Sequence, residues 1–409
     1  MSTSSPSDST APADTASPAA AVGDLVGPVQ VESVAHGGHA VARLPQGETR
    51  RVIFVRHALP GELVRVRLTD VSQARFWRGD AVEVLEPSDD RVTPRCPIAG
   101  PGGCGGCDLQ HVSAAGQGRW KQAVVAEQLE RLAGITWHGH MESPEPRWGW
   151  RRRMRYWATE PAQPGGPGLG MRRHRSHDVV PLPTSGCATA APEIAGTDID
   201  LPGWPDGSPR SIDLVRAASG TEVMVDESDV VVTEEALGRR FEVDAQGFWQ
   251  AHPAAVEVLS AAVLAGLEPN PGERGFDLYC GVGVFAAALA DAGVQMWGVE
   301  GNRAAVEHAK RNVAGVRFTA GSMEKMLARL PKSTDLVVLD PPRTGAGKNV
   351  ISQIASRRPR RIAYVACDPA ALARDLRHAE AMGYAPTSIR AFDLFPQTHH
   401  IECVAILAR

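Results

Sequence analysis

The sequence predicts an α/β protein: a parallel-rich sheet ending in a C-terminal hairpin, preceded by a small β-barrel and a β-rich central region. Three observations predict it. From Phe241 onward, short apolar runs alternate with helical segments. Between Val22 and about residue 87, five short alternating runs are broken by Gly and Pro. The last two apolar runs have no long helix between them. At 409 residues the chain is also longer than one core usually serves.

Residues 1–21 are mostly Ser, Thr, Pro, Ala and Asp without an aromatic. They offer too little apolar area to offset ordering entropy, so a disordered tail is expected. Residues 22–87 then carry runs such as VGPVQVESVA, RRVIFVRHAL and ELVRVRLTDV, whose period of two is that of a strand. Five short strands at regular spacing favour closure, which removes exposed sheet edges. Residues 88–240 begin with a Cys/Gly cluster, followed by RWKQAVVAEQLERLAG, whose apolar spacing is helical, and then by short Gly/Pro-interrupted strands. Residues 241–409 alternate strand and helix, which argues for a parallel sheet covered on both faces.

Bulk properties limit the function classes. A net charge of -4 leaves no global nucleic-acid signature, so any basic surface is local. No apolar run reaches membrane-spanning length, and the N-terminus lacks a signal-peptide layout. Seven cysteines without an export signal are expected as ligands, nucleophiles or core fillers rather than disulfides. A cytoplasmic monomer without membrane association is the expectation.

The strongest local motif is Asp277-Leu-Tyr-Cys-Gly-Val-Gly-Val-Phe285, at a strand-to-helix turn where glycines let the backbone approach a ligand. Glu300, about twenty residues on, ends the next strand, where a carboxylate can bind ribose hydroxyls. Ala286 stands where a dinucleotide motif has its third glycine, which disfavours NAD. An Asp before this shorter turn resembles the first motif of class I S-adenosylmethionine (SAM)-dependent methyltransferases. Asp340-Pro-Pro-Arg343 follows the apolar run LVVL and puts a carboxylate at a strand's carboxyl end. Cys367, in Tyr-Val-Ala-Cys-Asp-Pro, ends another strand before a helix, whose N-terminus would lower its pKa. A buried core cysteine is the competing reading. Carbon 5 of uracil needs a thiolate adding at carbon 6 to become nucleophilic, and a base to remove its proton afterwards. Glu402, an acidic residue entering the apolar run IECVAILA, is the candidate base, with a pKa raised by burial.

Five pieces in order carry a specific resemblance: Gly247-Phe-Trp-Gln250, the Asp277 motif, Asp340-Pro-Pro-Arg-Thr-Gly, Tyr364-Val-Ala-Cys-Asp-Pro, and Asp393-Leu-Phe-Pro-Gln-Thr-His-His-Ile-Glu402. Residues 247–409 resemble the RNA uracil-5-methyltransferase family, whose members act on tRNA and 23S rRNA. The resemblance implies a class I SAM methyltransferase core. It also implies Gln250, Tyr279, Glu300 and Asp340 as SAM contacts, beside the turn glycines Gly281 and Gly283, with Cys367 as nucleophile and Glu402 as base. Many members have Asn where this chain has Val284.

Cys96, Cys104, Cys107 and the distant Cys187 supply four thiols, enough for zinc or an iron–sulfur cluster, and spacing alone does not choose. Some family members combine a barrel resembling the TRAM domain with such cysteines and bind [4Fe–4S]. The resemblance implies that cluster here, with zinc as the alternative. Arg147-Trp-Gly-Trp-Arg-Arg-Arg-Met-Arg-Tyr-Trp157, Met171-Arg-Arg-His-Arg175 and the barrel arginines (Arg51, Arg56, Arg65, Arg67, Arg75, Arg78) are candidate RNA-facing surfaces. The substrate expected is rRNA or tRNA, with the target uridine flipped from its stack. Alternatives are a cytosine-C5 methyltransferase, a non-catalytic RNA-binding protein with a degenerate methyltransferase fold, and a redox enzyme built on the cluster.

Overall fold

The computed structural model describes residues 20–46, 49–159, 168–196, 211–225 and 229–409. The expected tail, apart from Ala20 and Ala21, lies outside the described residues. Strands β1 (Leu25–Ala35), β2 (His39–Gln46), β3 (Thr49–Arg56), β4 (Leu63–Asp70) and β5 (Phe76–Glu86) close into a barrel in the order β1-β2-β3-β5-β4. Alternation drives the closure: along β4, Val64, Val66 and Leu68 point into the core while Arg65 and Arg67 face out.

Helix α1 (Ala114–Ala133) starts where the Ser113 side chain accepts from Gly116 N and ends at Gly134, whose φ of 69° closes the C-terminus. After the two-residue strand β6 (Met141–Glu142), the central region forms a five-stranded sheet. Its strands are β7 (Arg153–Thr159), β8 (Gly168–Arg172), β9 (Val179–Pro181), β10 (Ser211–Ala217) and β11 (Gly220–Val225). A two-stranded ribbon follows, β12 (Val231–Ala236) with β13 (Arg239–Asp244).

The C-terminal part alternates α2 (Ala255–Leu267), β14 (Arg274–Leu278), α3 (Val284–Asp291), β15 (Gln295–Glu300), α4 (Arg303–Asn312), β16 (Arg317–Ala320), α5 (Met323–Leu327), β17 (Leu336–Leu339), α6 (Gly347–Ser356), β18 (Arg361–Ala366) and α7 (Pro369–Glu380). Strands β19 (Ala385–Phe392) and β20 (Glu402–Ala408) complete it as an antiparallel hairpin. Sheet order is β16-β15-β14-β17-β18-β20-β19-β6, with β14 to β18 parallel. The hairpin inserts β20 beside β18, and β6 from the central region covers the β19 edge. All four residues of β17 are buried, as expected for a strand covered on both faces.

The barrel, α1 and the lower sheet face share one hydrophobic cluster, including Val66, Val125, Leu372 and Tyr364. The barrel is therefore docked on the catalytic sheet. Among the described residues, no helix is long and apolar enough to cross a membrane.

Candidate active site

A cavity of about 730 Å³ opens at the carboxyl ends of the parallel strands, a volume suited to a nucleoside-sized ligand with a second group beside it. Gln250, Tyr279, Gly281, Glu300, Asp340, Cys367 and Glu402 all line it. Gly283 does not; its φ of 93° closes the turn, and a Cβ there would come within 3.1 Å of Phe318 and Val313. That glycine serves the turn and its packing.

The cavity floor follows from local geometry. After β14 the chain turns sharply, with positive φ at Tyr279 (63°) and Gly281 (51°). Glu300 locks this turn to the end of β15, accepting from Gly281 N at 3.1 Å and from Asn302 N at 2.8 Å. Asp277 is fully buried below it and accepts from Ala286 N at 2.8 Å in the first turn of α3. Its role is to bind the turn to the helix rather than to reach the cavity. Val284 lines a smaller adjoining space of about 60 Å³ with Gln250 and Tyr279.

Cys367 follows β18 directly. Asp368 caps α7 by accepting from Ala371 N at 2.7 Å, and Pro369 supplies the fixed φ of the first helical turn. His36 of the barrel reaches Asp368 at 3.0 Å, so the barrel touches the residue next to the thiol. The expectation of a lowered thiol pKa is corrected here. Burial pushes Cys367 up to about 12, helped by the Glu402 and Asp340 carboxylates and opposed by Arg343. Desolvation and two nearby carboxylates outweigh the helix terminus.

Glu402 opens β20 and is 4% exposed. Burial holds its carboxyl well above the usual range, with Asp340 adding to the shift and Arg343 opposing it. Asp340, half-buried at the cavity wall, is pushed up to about 7 by desolvation. Among the other residues lining the cavity are Phe248, Arg343 and His400. Phe248 lies inside the Gly247 motif and is 75% exposed. Arg343 and His400 meet at 3.3 Å across the cavity wall. Their motif positions were visible; that they face the cavity was not.

The four cysteines Cys96, Cys104, Cys107 and Cys187 line one small enclosed space of about 20 Å³. None of the four is in a disulfide, and Gly106 N donates to Cys104 Sγ at 3.3 Å. Burial pushes Cys104 up to about 11 and Cys107 to about 12. Among the described residues no group of three or more His, Cys, Asp and Glu side chains is arranged to hold a metal ion.

The basic and aromatic run Arg147–Trp157 is corrected. Part of it turns inward. Trp150 and Tyr156 are fully buried, and the Tyr156 hydroxyl donates to Ile194 O at 2.7 Å. Arg152 and Arg153 both pair with buried Glu234 at 3.2 Å, Arg155 pairs with Asp213, and Arg147 with buried Asp393. Pairing with buried carboxylates takes Arg147, Arg152 and Arg153 out of a phosphate surface, whereas Arg155 stays exposed beside Asp213. In the barrel, Arg56 is also buried, 3.5 Å from Asp108, whereas Arg65, Arg67 and Arg75 remain exposed.

Comparisons with known proteins agree with this architecture. A profile of the tRNA (uracil-5-)-methyltransferase family matches residues 330–409, and one of the TRAM domain matches residues 26–82. The chain is 43% identical to an uncharacterized RNA methyltransferase of Streptomyces avermitilis, over 93% of this chain and 97% of that protein. It is 37% identical to one of Bifidobacterium longum, over 93% and 96% of the two chains. In fold it is similar to the Pyrococcus abyssi tRNA (uracil-54, C5)-methyltransferase solved with S-adenosyl-L-homocysteine. That match has a TM-score of 0.68 at 23% identity and covers 93% of this chain and 99% of that one. The chain belongs to the RNA uracil-5-methyltransferase family and is a SAM-dependent RNA methyltransferase.

Proposed function

We propose that the protein methylates carbon 5 of a uridine in structured RNA, rRNA or tRNA, through a covalent adduct between Cys367 and carbon 6. The observation that carries this reading is a thiol and a buried carboxylate, Cys367 and Glu402, lining one cavity with Gln250, Glu300 and Asp340. SAM supplies an electrophilic methyl group on a sulfonium. Glu300 and Asp340 offer carboxylates, and Gln250 an amide, to hold it.

Cys367 as thiolate forms the S–C6 bond, and the C5=C6 electron pair moves toward O4. Carbon 5 then takes the methyl group, breaking its bond to sulfur and leaving S-adenosylhomocysteine. Glu402 removes the carbon-5 proton, the C5=C6 bond re-forms, and the S–C6 bond breaks. Because the Cys367 thiol is pushed up to about 12, its thiolate fraction rises with pH throughout the neutral range. Glu402 must be ionised to accept a proton, and its raised pKa acts in the same direction. Activity should therefore rise from acid toward alkaline pH.

The four thiols lining the cysteine pocket are a donor set that either a [4Fe–4S] cluster or a zinc ion takes, and the family resemblance favours the cluster. Cys96, Cys104, Cys107 and Cys187 would hold a [4Fe–4S] group with a structural role. Anaerobic protein should be brown and contain iron; colourless zinc-loaded protein would overturn this.

The deciding experiment maps 5-methyluridine in RNA from cells lacking the protein. Loss of the mark at a defined uridine is expected. Loss of 5-methylcytidine instead would establish the cytosine-C5 alternative.

A further inference from the structure

The segment Asp393–Glu402 leaves the sheet and returns to it as a loop. Its Phe395, His400 and Glu402 line the cavity. The bonds that fix its far side come from residues 246 to 291 positions earlier in the chain. Its apex, Gln397, is 3% exposed and holds φ at 70°, a left-handed conformation that glutamine adopts rarely. Such a backbone persists only where its surroundings impose it. Here they do. Gln397 N donates to Gln117 Oε1 at 3.0 Å, and Gln117 Nε2 donates back to Gln397 Oε1 at 2.9 Å. Gln117 Nε2 also lies within reach of the carbonyls of Leu109 and Val112, at 3.2 and 2.9 Å, which ties the amide to its own segment. The Gln397 carbonyl accepts from the N–H groups of Asp108 and Leu109, both at 3.0 Å. One turn further along α1, Lys121 Nζ donates to Phe395 O at 3.0 Å.

We infer that Gln117, on a helix outside the catalytic sheet, is a positioning residue for Glu402, holding the loop so that its carboxylate meets the carbon-5 proton. This rests on the reading of Glu402 as base. Neither side chain of the Gln117–Gln397 pair lines the cavity, so the pair acts through the loop. A base displaced by a fraction of an ångström loses its proton-transfer geometry, while the attack of Cys367, mounted on β18 and α7, does not depend on the loop apex. The pair therefore governs the second half of the reaction: breaking of the C5–H bond, re-formation of C5=C6 and release of the thiolate.

The test is single-turnover reaction of full-length Gln117→Met and Gln397→Gly enzymes with SAM and total RNA from cells lacking the protein. Methionine keeps the length of Gln117 and removes its amide. Glycine keeps the left-handed backbone at residue 397 and removes the other amide. The expected result is adduct formation and SAM affinity within about twofold of the parent enzyme, with adduct resolution slowed about tenfold. A methylated covalent protein–RNA species then accumulates on denaturing gels. The double variant should be no slower than the slower single one, because the two amides form one contact. Adduct that resolves at the parent rate in both variants would overturn the inference, as would equal slowing of formation and resolution. Glu402→Gln is run beside them. If it turns over without trapping adduct, the assignment of the base itself fails. If it traps adduct and the amide variants do not, only the positioning role fails.

Discussion

The nucleophile turn and the base loop face each other across one cavity, and they are held by different means. Cys367 sits in a local arrangement: a buried strand, a capping Asp368, Pro369 in the first turn, then α7. Its immediate supports lie within four residues along the chain, apart from His36 at 3.0 Å from the cap. Glu402 ends a loop whose shape is imposed from afar by Asp108, Gln117, Lys121 and Arg147. A strand-to-helix turn satisfies its own backbone groups, whereas a buried loop must find partners elsewhere. The two halves of the proposed reaction therefore depend on different parts of the chain.

Breaking each half tests this contrast. The largest effect is expected from Cys367→Ala, which should lower methyl transfer to RNA by roughly 10⁴-fold or more. SAM affinity, measured by calorimetry, should stay within about twofold; surviving methylation would end the covalent reading. Next is Lys121→Met. Lys121 and Asp393 are both fully enclosed and 2.5 Å apart, so the variant leaves a buried carboxylate with Arg147 as its remaining cation. A loss of about 3 kcal/mol in denaturant unfolding is expected, and adding Asp393→Asn should recover part of it. On the nucleophile side, Asp368→Ala removes the α7 cap and the contact with His36, for about 1 kcal/mol. A stability loss there as large as that of Lys121→Met would erase the distinction between local and remote support. The smallest effect belongs to Arg343→Ala. Arg343 favours the ionised forms of both Cys367 and Glu402, so its removal should move the pH–rate profile to the alkaline side. Because its head is exposed, water and salt screen it, and a loss of about threefold at neutral pH is expected. A shift toward acid pH would contradict the sign.

Much of this was legible from residue order. The strand and helix periods from Phe241 onward, the turn from Asp277 to Gly283 and the five-strand run before residue 87 all rest on near-neighbour patterns, and the structure follows them. Three features were not. The run Arg147–Trp157 reads as a nucleic-acid surface until Glu234, Asp213 and Asp393 arrive to neutralise it, and none of them lies nearby in the chain. The Cys367 thiol reads as lowered until Glu402 and Asp340 stand beside it in a buried site. Strand β6 has no readable pattern in two residues; it exists because β19 needs a partner at its edge.

By itself the sequence determined the order of the elements, the barrel followed by an α/β core, and the motifs that put Glu300, Asp340, Cys367 and Glu402 at strand ends. Those depend on periodicity and turn chemistry, which act over a few residues. Tertiary structure alone decided which cations remain free, which direction the cysteine and carboxylate pKa values move, and that Gln117 meets Gln397. Charge pairing, desolvation and buried hydrogen bonds depend on distance in space, and folding sets that distance for residues hundreds of positions apart.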